Sequence, residues 1–298
     1  MHLKNIRMKK ISTCLWFDNQ AEEAVKFYTS VFKNSKTGNI RHYDEAGSNA
    51  SGMPVGTVMT VIFNLEDQEF MALNGGPVFK FTKSTSFMIS CNTSVEADEL
   101  WEKLSEGGEV LMKLDKYPFS EKFGWLKDKF GISWQLNFTE SPQKITPFLW
   151  YSNQAEEAIR FYTSVFRKSR IFRIEHFEKD GRGPEGKVMH AAFMLEGQQF
   201  MAMDSNNEPF TPAFSFMINC DTQEELDHYW YKLSEEGDEN AQQCGWLIDK
   251  FGVSWQIIPS VLNKMLLDKD PEKSIRVMNA VLKMKKLDIE TLKKAYAG

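Results

Sequence analysis

The hydrophobic positions of this chain change period from segment to segment. Residues 21–32 place apolar side chains at the i, i+3, i+4, i+7 spacing of one helix face. Residues 57–65 and 68–73 instead alternate between apolar and polar, as half-buried strands do. A second helix is predicted over 94–106, with two more strands after it. The pattern indicates a β-α-β-β-β module that occurs twice in this half of the chain.

The same order of elements returns in the second half, because the sequence is duplicated. ISTCLWFDNQAEEAVKFYTSVFKNSK (11–36) and ITPFLWYSNQAEEAIRFYTSVFRKSR (145–170) are identical at 16 of 26 positions. GWLKDKFGISWQ (124–135) returns as GWLIDKFGVSWQ (245–256). A polar, proline-containing stretch at Ser141–Pro142 separates the copies. We therefore expect one domain over 1–141 and a second over 142–259.

Two further segments are expected to lie outside this regular pattern. The stretch 44–56 is rich in Gly, Ser and Asn, which favours a mobile loop, with 178–187 as its counterpart. Residues 260–298 have no counterpart in the first copy. There, Asp270-Pro271 is typical of a helix start, and an apolar stripe follows it. We expect a helical tail packed on the second domain rather than a partner-binding arm.

Composition excludes several classes of function. A formal net charge of −5 over 298 residues provides no positive field for nucleic acid. No apolar run reaches the roughly 18 residues of a membrane span. The four cysteines form no CxxC pair, which favours free thiols in a reducing compartment. We expect a soluble, cytoplasmic protein without nucleic-acid or membrane partners.

Four segments together are similar to one known family: NQAEEAIRFYTSVF, KVMHAAF, CGWLIDKFGVSWQIIP and DPEKSIRVMNAVLKMKKLDIETLKKAY. They resemble the PhnB-like family, often labelled by a 3-demethylubiquinone methyltransferase domain name. This family belongs to the glyoxalase/bleomycin-resistance, or vicinal oxygen chelate, superfamily. The resemblance implies an α+β fold of two tandem domains, each with paired βαβββ modules forming a curved eight-stranded sheet around a concave pocket. It also implies intrachain pairing of the two domains, imitating the homodimer of single-domain relatives; a homodimer of the whole chain is left open.

The resemblance also locates the positions at which metal-using members carry ligands, on the first, fourth, fifth and eighth strands of a domain. Proline has no side-chain donor, and serine is a poor ligand for zinc or iron. We therefore expect neither the usual metal site nor a cofactor. The aligned positions are Thr13, Asn74, Ser86 and Gln135 in the first copy, and Pro147, Asp204, Ser215 and Gln256 in the second.

One histidine is the candidate catalytic residue. Alternation in 188–195 places His190 on one strand face with Val188 and Ala192, where it could act as a general base or hydrogen-bond donor. The first copy has Thr60 at this position, so the two pockets differ chemically. A hydrogen-bonded core histidine is the alternative.

The candidate ligand-binding residues are polar positions on the strands that should line the pockets. For the glutamines the alternative is a structural role at the pocket rim, and for Asp204 it is a turn-capping role. The predicted set is Thr60, Gln135, Asp204, Ser215 and Gln256.

The expected function is the binding of a small molecule in a concave pocket. The alternative is a lyase or isomerase that works through His190, so whether the protein is an enzyme stays open. Methyl transfer is not expected despite the family label, because no Gly-rich turn joins a strand to a helix as a nucleotide-type methyl donor would require.

Overall fold

The computed structural model describes residues 9–179, 183–205 and 208–298. Both copies contain the predicted elements in the predicted order, with three strands rather than two after the second helix. The first contributes β1 (Ile11–Phe17), α1 (Ala21–Val31), β2 (Ser35–His42), α2 (Glu45–Ser51), β3 (Val58–Leu65), β4 (Gln68–Asn74), β5 (Thr85–Cys91), α3 (Ser94–Ser105), β6 (Glu109–Tyr117), β7 (Ser120–Lys127) and β8 (Ser133–Phe138).

The second copy repeats this series except for α2, which has no counterpart among its described residues, and adds three helices. Its elements are β9 (Ile145–Tyr151), α4 (Ala155–Val165), β10 (Ser169–His176), β11 (Val188–Leu195), β12 (Gln198–Asp204), β13 (Phe214–Cys220), α5 (Gln223–Ser234), β14 (Asp238–Gln243), β15 (Trp246–Ile248), β16 (Ser254–Pro259), α6 (Leu262–Leu266), α7 (Pro271–Leu282) and α8 (Ile289–Ala297).

The strands form two eight-stranded sheets, as the α+β prediction requires. Sheet A has the order β14-β15-β16-β13-β1-β4-β3-β2, and sheet B has the order β10-β11-β12-β9-β5-β8-β7-β6. Each sheet therefore joins one module of the first copy to one module of the second. The expected pairing was between the two modules of one copy. Instead, the two modules of each copy lie in different sheets.

The joins between the copies lie in the middle of the sheets. In sheet A, β1 pairs antiparallel with β13, with Cys14 opposite Ser215. In sheet B, β5 pairs antiparallel with β9, with Ser86 opposite Phe148. Because the two copies are similar in sequence, a module can present a similar edge to a partner from either copy. The repeat therefore predicts the modules but not which of them pair.

The helices cover one face of each sheet. In α1 the side chains of Ala24, Val25, Tyr28 and Val31 are buried against the sheet, as the helical spacing predicts. The Thr93 and Thr222 hydroxyls accept hydrogen bonds from backbone N–H groups at the starts of α3 and α5. In the described part of the chain, no helix is long and apolar enough to cross a membrane.

Residues 45–51 form a short helix where a loop was expected. The Asp44 carboxylate accepts a hydrogen bond from the Gly47 N–H at 2.7 Å, which caps α2. Gly47 is buried beside Tyr43, and α2 lies against α7 of the C-terminal tail. Tertiary contact and a cap therefore outweigh the low helix propensity of this segment. Part of its counterpart, 180–182, lies outside the described residues.

The helical tail is present as predicted. Asp270 caps α7 by accepting a hydrogen bond from the Glu272 N–H, and Val277, Met278 and Val281 are buried. Contact between α7 and α2 brings the tail to the first copy as well as the second. This position closes one side of the hollow described next.

Candidate functional site

Each sheet has a helix-covered face and a concave face, and strand alternation decides which side chains reach the concave one. On β1, Leu15 and Phe17 pack into the helix-side core, so Cys14 and Trp16 point the other way. On β16, Trp255 packs against the helices and Gln256 points to the concave face. Gln256 thus lies on the face where the polar strand positions were expected to point.

The concave face of sheet A encloses a cavity of about 880 Å³. We call it hollow A. Residues of α2 and α7 form one side, and the β14–β15 hairpin forms another. Most of the wall is aromatic or aliphatic, and the main contributors are Trp16, Tyr43, Leu73, Phe79, Trp246, Ile248, Met278 and Leu282.

Trp16 is fixed in this wall by a pair of glycines. Its indole Nε1 donates a hydrogen bond to the Gly76 carbonyl at 2.8 Å. A Cβ on Gly75 would meet the indole ring at 2.2 Å, so only glycine allows the ring to lie there. Trp246 packs edge-on against Trp16, with ring centroids 6.1 Å apart. The Gly75–Gly76 pair thus has a packing role.

Three polar side chains lie together on the sheet at the bottom of the concave face. Gln256 Nε2 donates a hydrogen bond to Ser215 Oγ at 2.9 Å, and both residues are almost fully buried. Cys14 lies opposite Ser215, and burial raises the pKa of its thiol to about 12. All three side chains are therefore neutral at physiological pH, and they form hydrogen bonds with one another.

These donors do not suit a transition metal. A protonated thiol and a serine hydroxyl are poor ligands, and the Gln256 amide is already bonded to Ser215. In residues 9–179, 183–205 and 208–298, no group of three or more His, Cys, Asp or Glu side chains is close enough to hold a metal ion.

Two positions aligned with metal ligands, one on β1 and one on β9, face the helices instead. Thr13 lies between Phe70 and Phe216 of the helix-side core, and Pro147 pairs with Phe87 on the same kind of face. On β1 and β9, the positions aligned with metal ligands are thus one residue away from positions that face the concave side. A one-residue shift on a strand moves a side chain to the opposite face.

Asn74 and Asp204 hold the chain at the starts of helices. Asn74 Oδ1 accepts a hydrogen bond from the Ala21 N–H at 2.8 Å. Both Asp204 oxygens are occupied by backbone N–H groups, those of Ala155 and Val188, each at 2.9 Å. The Asp204 carboxylate thus joins the start of α4 to the start of β11.

The concave face of sheet B, which we call hollow B, is filled largely by its own side chains. Trp125 and Trp150 stack with ring centroids 4.9 Å apart. Gln135 Nε2 donates to Ser86 Oγ at 2.8 Å, as Gln256 does to Ser215. The rest of the cluster is rich in methionine and aromatic rings: Met88, Met112, Tyr117, Phe123, Phe148, Met201 and Met203.

His190 lies on the face of hollow B, with its ring edge-on to Phe148 at a centroid distance of 5.8 Å. Its Nδ1 is buried and has no hydrogen-bond partner among the described residues. Desolvation, helped by the nearby Arg173, lowers the pKa of His190 to about 4. The imidazole is therefore neutral at pH 7 and a weaker base than an ordinary histidine.

Apart from Asp204, the predicted site residues are thus divided between the concave faces of the two sheets. Ser215 and Gln256 lie on the concave face of sheet A without lining the cavity itself, and Thr60 lies on the same sheet, opposite Leu73 of the cavity wall. His190 and Gln135 belong to sheet B. The prediction had grouped residues by copy, which fails because each sheet takes a module from both copies.

None of the predicted site residues lines the cavity directly, and the lining residues that the prediction missed include Asp238, Trp246 and Ser254. Trp246 and Ser254 lie in the repeated GW and SWQ segments, so strand alternation within those motifs could have indicated them. Asp238 has no such signal, because its position depends on the register between β14 and β15.

Comparisons with known proteins agree with this architecture. The sequence model of a family described as 3-demethylubiquinone-9 3-methyltransferase matches residues 9–137 and 143–258. A PhnB protein from Bacillus cereus is 44% identical over 44% of this chain and 100% of its own, with a TM-score of 0.41. Glyoxalase I from Zea mays is 12% identical over 88% of this chain and 96% of its own; its TM-score of 0.58 indicates a shared fold. No curated protein is detectably similar in sequence.

Proposed function

Since the chain belongs to the PhnB-like family described as 3-demethylubiquinone-9 3-methyltransferase, with the fold of the vicinal oxygen chelate superfamily, we propose that it binds a small molecule in hollow A. This function does not use the metal site that is usual in the superfamily. The observation that carries the proposal is the cavity of about 880 Å³, which is within the range of small-molecule pockets.

The difference between the two hollows supports this choice. Hollow A keeps an open volume because α2 and α7 stand over the sheet, while in hollow B methionine and aromatic side chains pack on one another. A pocket with apolar walls and few polar groups is the usual form of a ligand site. The two concave faces of the duplicated fold thus have different roles, one for the ligand and one for packing.

The methyltransferase description of the family is not part of the proposal. The Gly75–Gly76 pair, which a nucleotide-type site could have used, is explained by the position of Trp16. The four cysteines are unpaired and three of them are buried, which is in keeping with a reducing compartment such as the cytoplasm.

A screen of small molecules by thermal shift, followed by calorimetry, tests the proposal. Leu73→Trp should fill hollow A and abolish binding of the compounds found, whereas Met203→Trp, at the matching position of sheet B, should leave it intact. Ala50→Trp, on an exposed residue of α2 that lines the cavity, fills the same space from the other side. Binding that survives both Leu73→Trp and Ala50→Trp would contradict the proposal.

The second candidate is a lyase or isomerase function at hollow B, favoured by the buried Nδ1 of His190 that has no partner among the described residues. A neutral imidazole could accept a hydrogen bond from a substrate group or donate one to it. The test is a comparison of His190→Ala with the parent on any substrate that is found. Unchanged turnover would eliminate the histidine as a catalytic residue.

A further inference from the structure

The wall of hollow A is asymmetric in charge, and this bears on the ligand class if the proposed function holds. Among the described residues that line the cavity, Asp238 is the one with a carboxylate, and neither lysine nor arginine is present. The nearest arginine in sequence to the wall residue Tyr43 is Arg41, which is largely buried and paired with Asp44 at 3.4 Å. An anionic ligand would therefore find no cation with which to pair.

The aromatic walls offer ring faces rather than polar atoms. The Tyr43 hydroxyl donates to the Asn74 carbonyl at 2.5 Å, and the Trp16 Nε1 donates to the Gly76 carbonyl. Both polar ends are thus already bonded within the protein. Ring faces carry negative partial charge, so they favour apolar groups and cations over anions.

One hydroxyl in the wall has no bond within the protein. Ser254 Oγ is buried without a hydrogen-bond partner among the described residues, in a residue that is only 2% exposed. The duplicate provides an internal comparison: in sheet B the matching Ser133 Oγ accepts a hydrogen bond from Trp125 Nε1 at 2.8 Å. A buried unpaired polar group is costly, so a ligand that bonds Ser254 would recover that free energy.

Asp238 and Ser254 lie in one row across the sheet. Ile248 pairs with Asp238 on one side and with Ser254 on the other, so all three share the concave face. Neighbouring strands are about 4.8 Å apart, which separates Asp238 and Ser254 by roughly 10 Å. Asp238 is exposed at the mouth and Ser254 is buried at the floor.

From these observations we propose that hollow A selects a neutral or cationic aromatic compound with a hydrogen-bonding group, and rejects anions. The ring system lies against Trp16 and Trp246, the polar group bonds Ser254, and a positive charge, where present, lies towards Asp238. This selectivity rests on the proposed function and goes beyond it by naming the ligand class.

Three probes with one aromatic body test the selectivity: 2-naphthylmethanol, which is neutral, 2-naphthylmethylamine, a cation at pH 7, and 2-naphthoate, an anion. Calorimetry on the full chain should show binding of the alcohol and the amine, with the carboxylate at least about tenfold weaker. Ser254→Ala should weaken the alcohol roughly three- to tenfold, the value of one hydrogen bond. The matched Ser133→Ala should not change its affinity.

Asp238→Asn separates charge from shape. It should remove any advantage of the amine over the alcohol and leave the alcohol unchanged. Binding of the carboxylate as tight as that of the alcohol, and sensitive to Leu73→Trp, would overturn the ligand class while the proposed function stood. The ligand class would also be overturned, with the proposed function intact, if none of the three probes bound and the wider screen yielded only anions whose binding Leu73→Trp abolishes. If the wider screen also yields no ligand, both the proposed ligand class and the proposed function fail.

Discussion

The Tyr28 hydroxyl donates a hydrogen bond to Asp128 Oδ2 at 2.7 Å, and this bond connects the two sheets. Tyr28 is on α1, which packs on sheet A, whereas Asp128 follows β7 of sheet B. The second copy repeats the bond between Tyr162 and Asp249, also at 2.7 Å. The two modules of one copy, which are in different sheets, are thus held together by a buried polar network.

Each of these aspartates is a hub with four donors. Asp128 accepts from the Trp134 indole at 2.8 Å and from the Phe130 and Ile132 N–H groups, in addition to Tyr28. Burial nevertheless raises the pKa of Asp128. The repeated DKFG segment with its following Trp therefore has a structural explanation.

Removing the tyrosine hydroxyls should destabilise the fold. Tyr28→Phe and Tyr162→Phe each remove one donor from a buried carboxylate, so we expect a loss of about 1.5–3 kcal/mol in the free energy of unfolding for each. Urea denaturation measures this loss. The control is Tyr117→Phe, whose hydroxyl bond to the Lys113 carbonyl is exposed and should be worth within about 0.5 kcal/mol. Equal stability of all three variants would contradict the role of the network.

A methyl group at Gly75 should disturb hollow A. Because the Cβ of Gly75→Ala would lie 2.2 Å from the Trp16 ring, the indole must move, at a cost of about 1–3 kcal/mol. Thermal denaturation and tryptophan fluorescence should both change, and ligand affinity should fall. Ser205→Ala, at the matching position of the second copy, is the control. A Gly75→Ala protein with the parent's melting temperature would show that Trp16 is not fixed by this contact.

The helices and strands could be predicted because their signals are local. The spacing of Ala24, Tyr28 and Val31 predicts α1, and Asp270-Pro271 predicts the start of α7. The short helix α2 was missed because its stability comes from the Asp44 cap and from contact with α7, neither of which is visible in residue composition.

The site was predicted less well, because it depends on contacts between distant segments. Gln256 was correctly assigned to a concave face, since its neighbour Trp255 is the larger apolar residue. Thr13 was assigned to the wrong face, and His190 was placed in the same pocket as Gln256. Pairing of β1 with β13 decides which residues meet, and the similarity of the two copies does not specify that pairing.

Acidification should reveal the buried state of His190. Its pKa is about 4 in the folded protein and about 6.5 when unfolded, so the folded state binds fewer protons between these values. The contribution of neutral His190 to the free energy of unfolding is therefore complete above pH 6.5. It is lost as the pH falls towards 4, by about 3 kcal/mol in total. Urea midpoints from pH 7 to pH 4 should fall less steeply for His190→Asn than for the parent.

Asp249 contributes a pH dependence of stability with the opposite sign. Burial raises the pKa of this carboxyl to about 6, so its own contribution to stability is lost as the pH rises through 6. The difference between parent and His190→Asn cancels this opposing effect, because Asp249 is present in both. Identical pH profiles of the two proteins would show that His190 is solvated and ordinary.

The pairing of modules across the copies predicts how the chain behaves when it is divided between them. A fragment of residues 1–141 would leave β1 without β13 and β5 without β9, so two central strands would each expose an unpaired edge. We expect neither 1–141 nor 142–298 to fold as a monomer. After co-expression, light scattering should show a one-to-one complex of the two fragments. The circular dichroism spectrum of this complex should match that of the parent. A folded, monomeric 1–141 fragment would mean that one copy can close its own sheet, and that the exchange of modules is not required for stability.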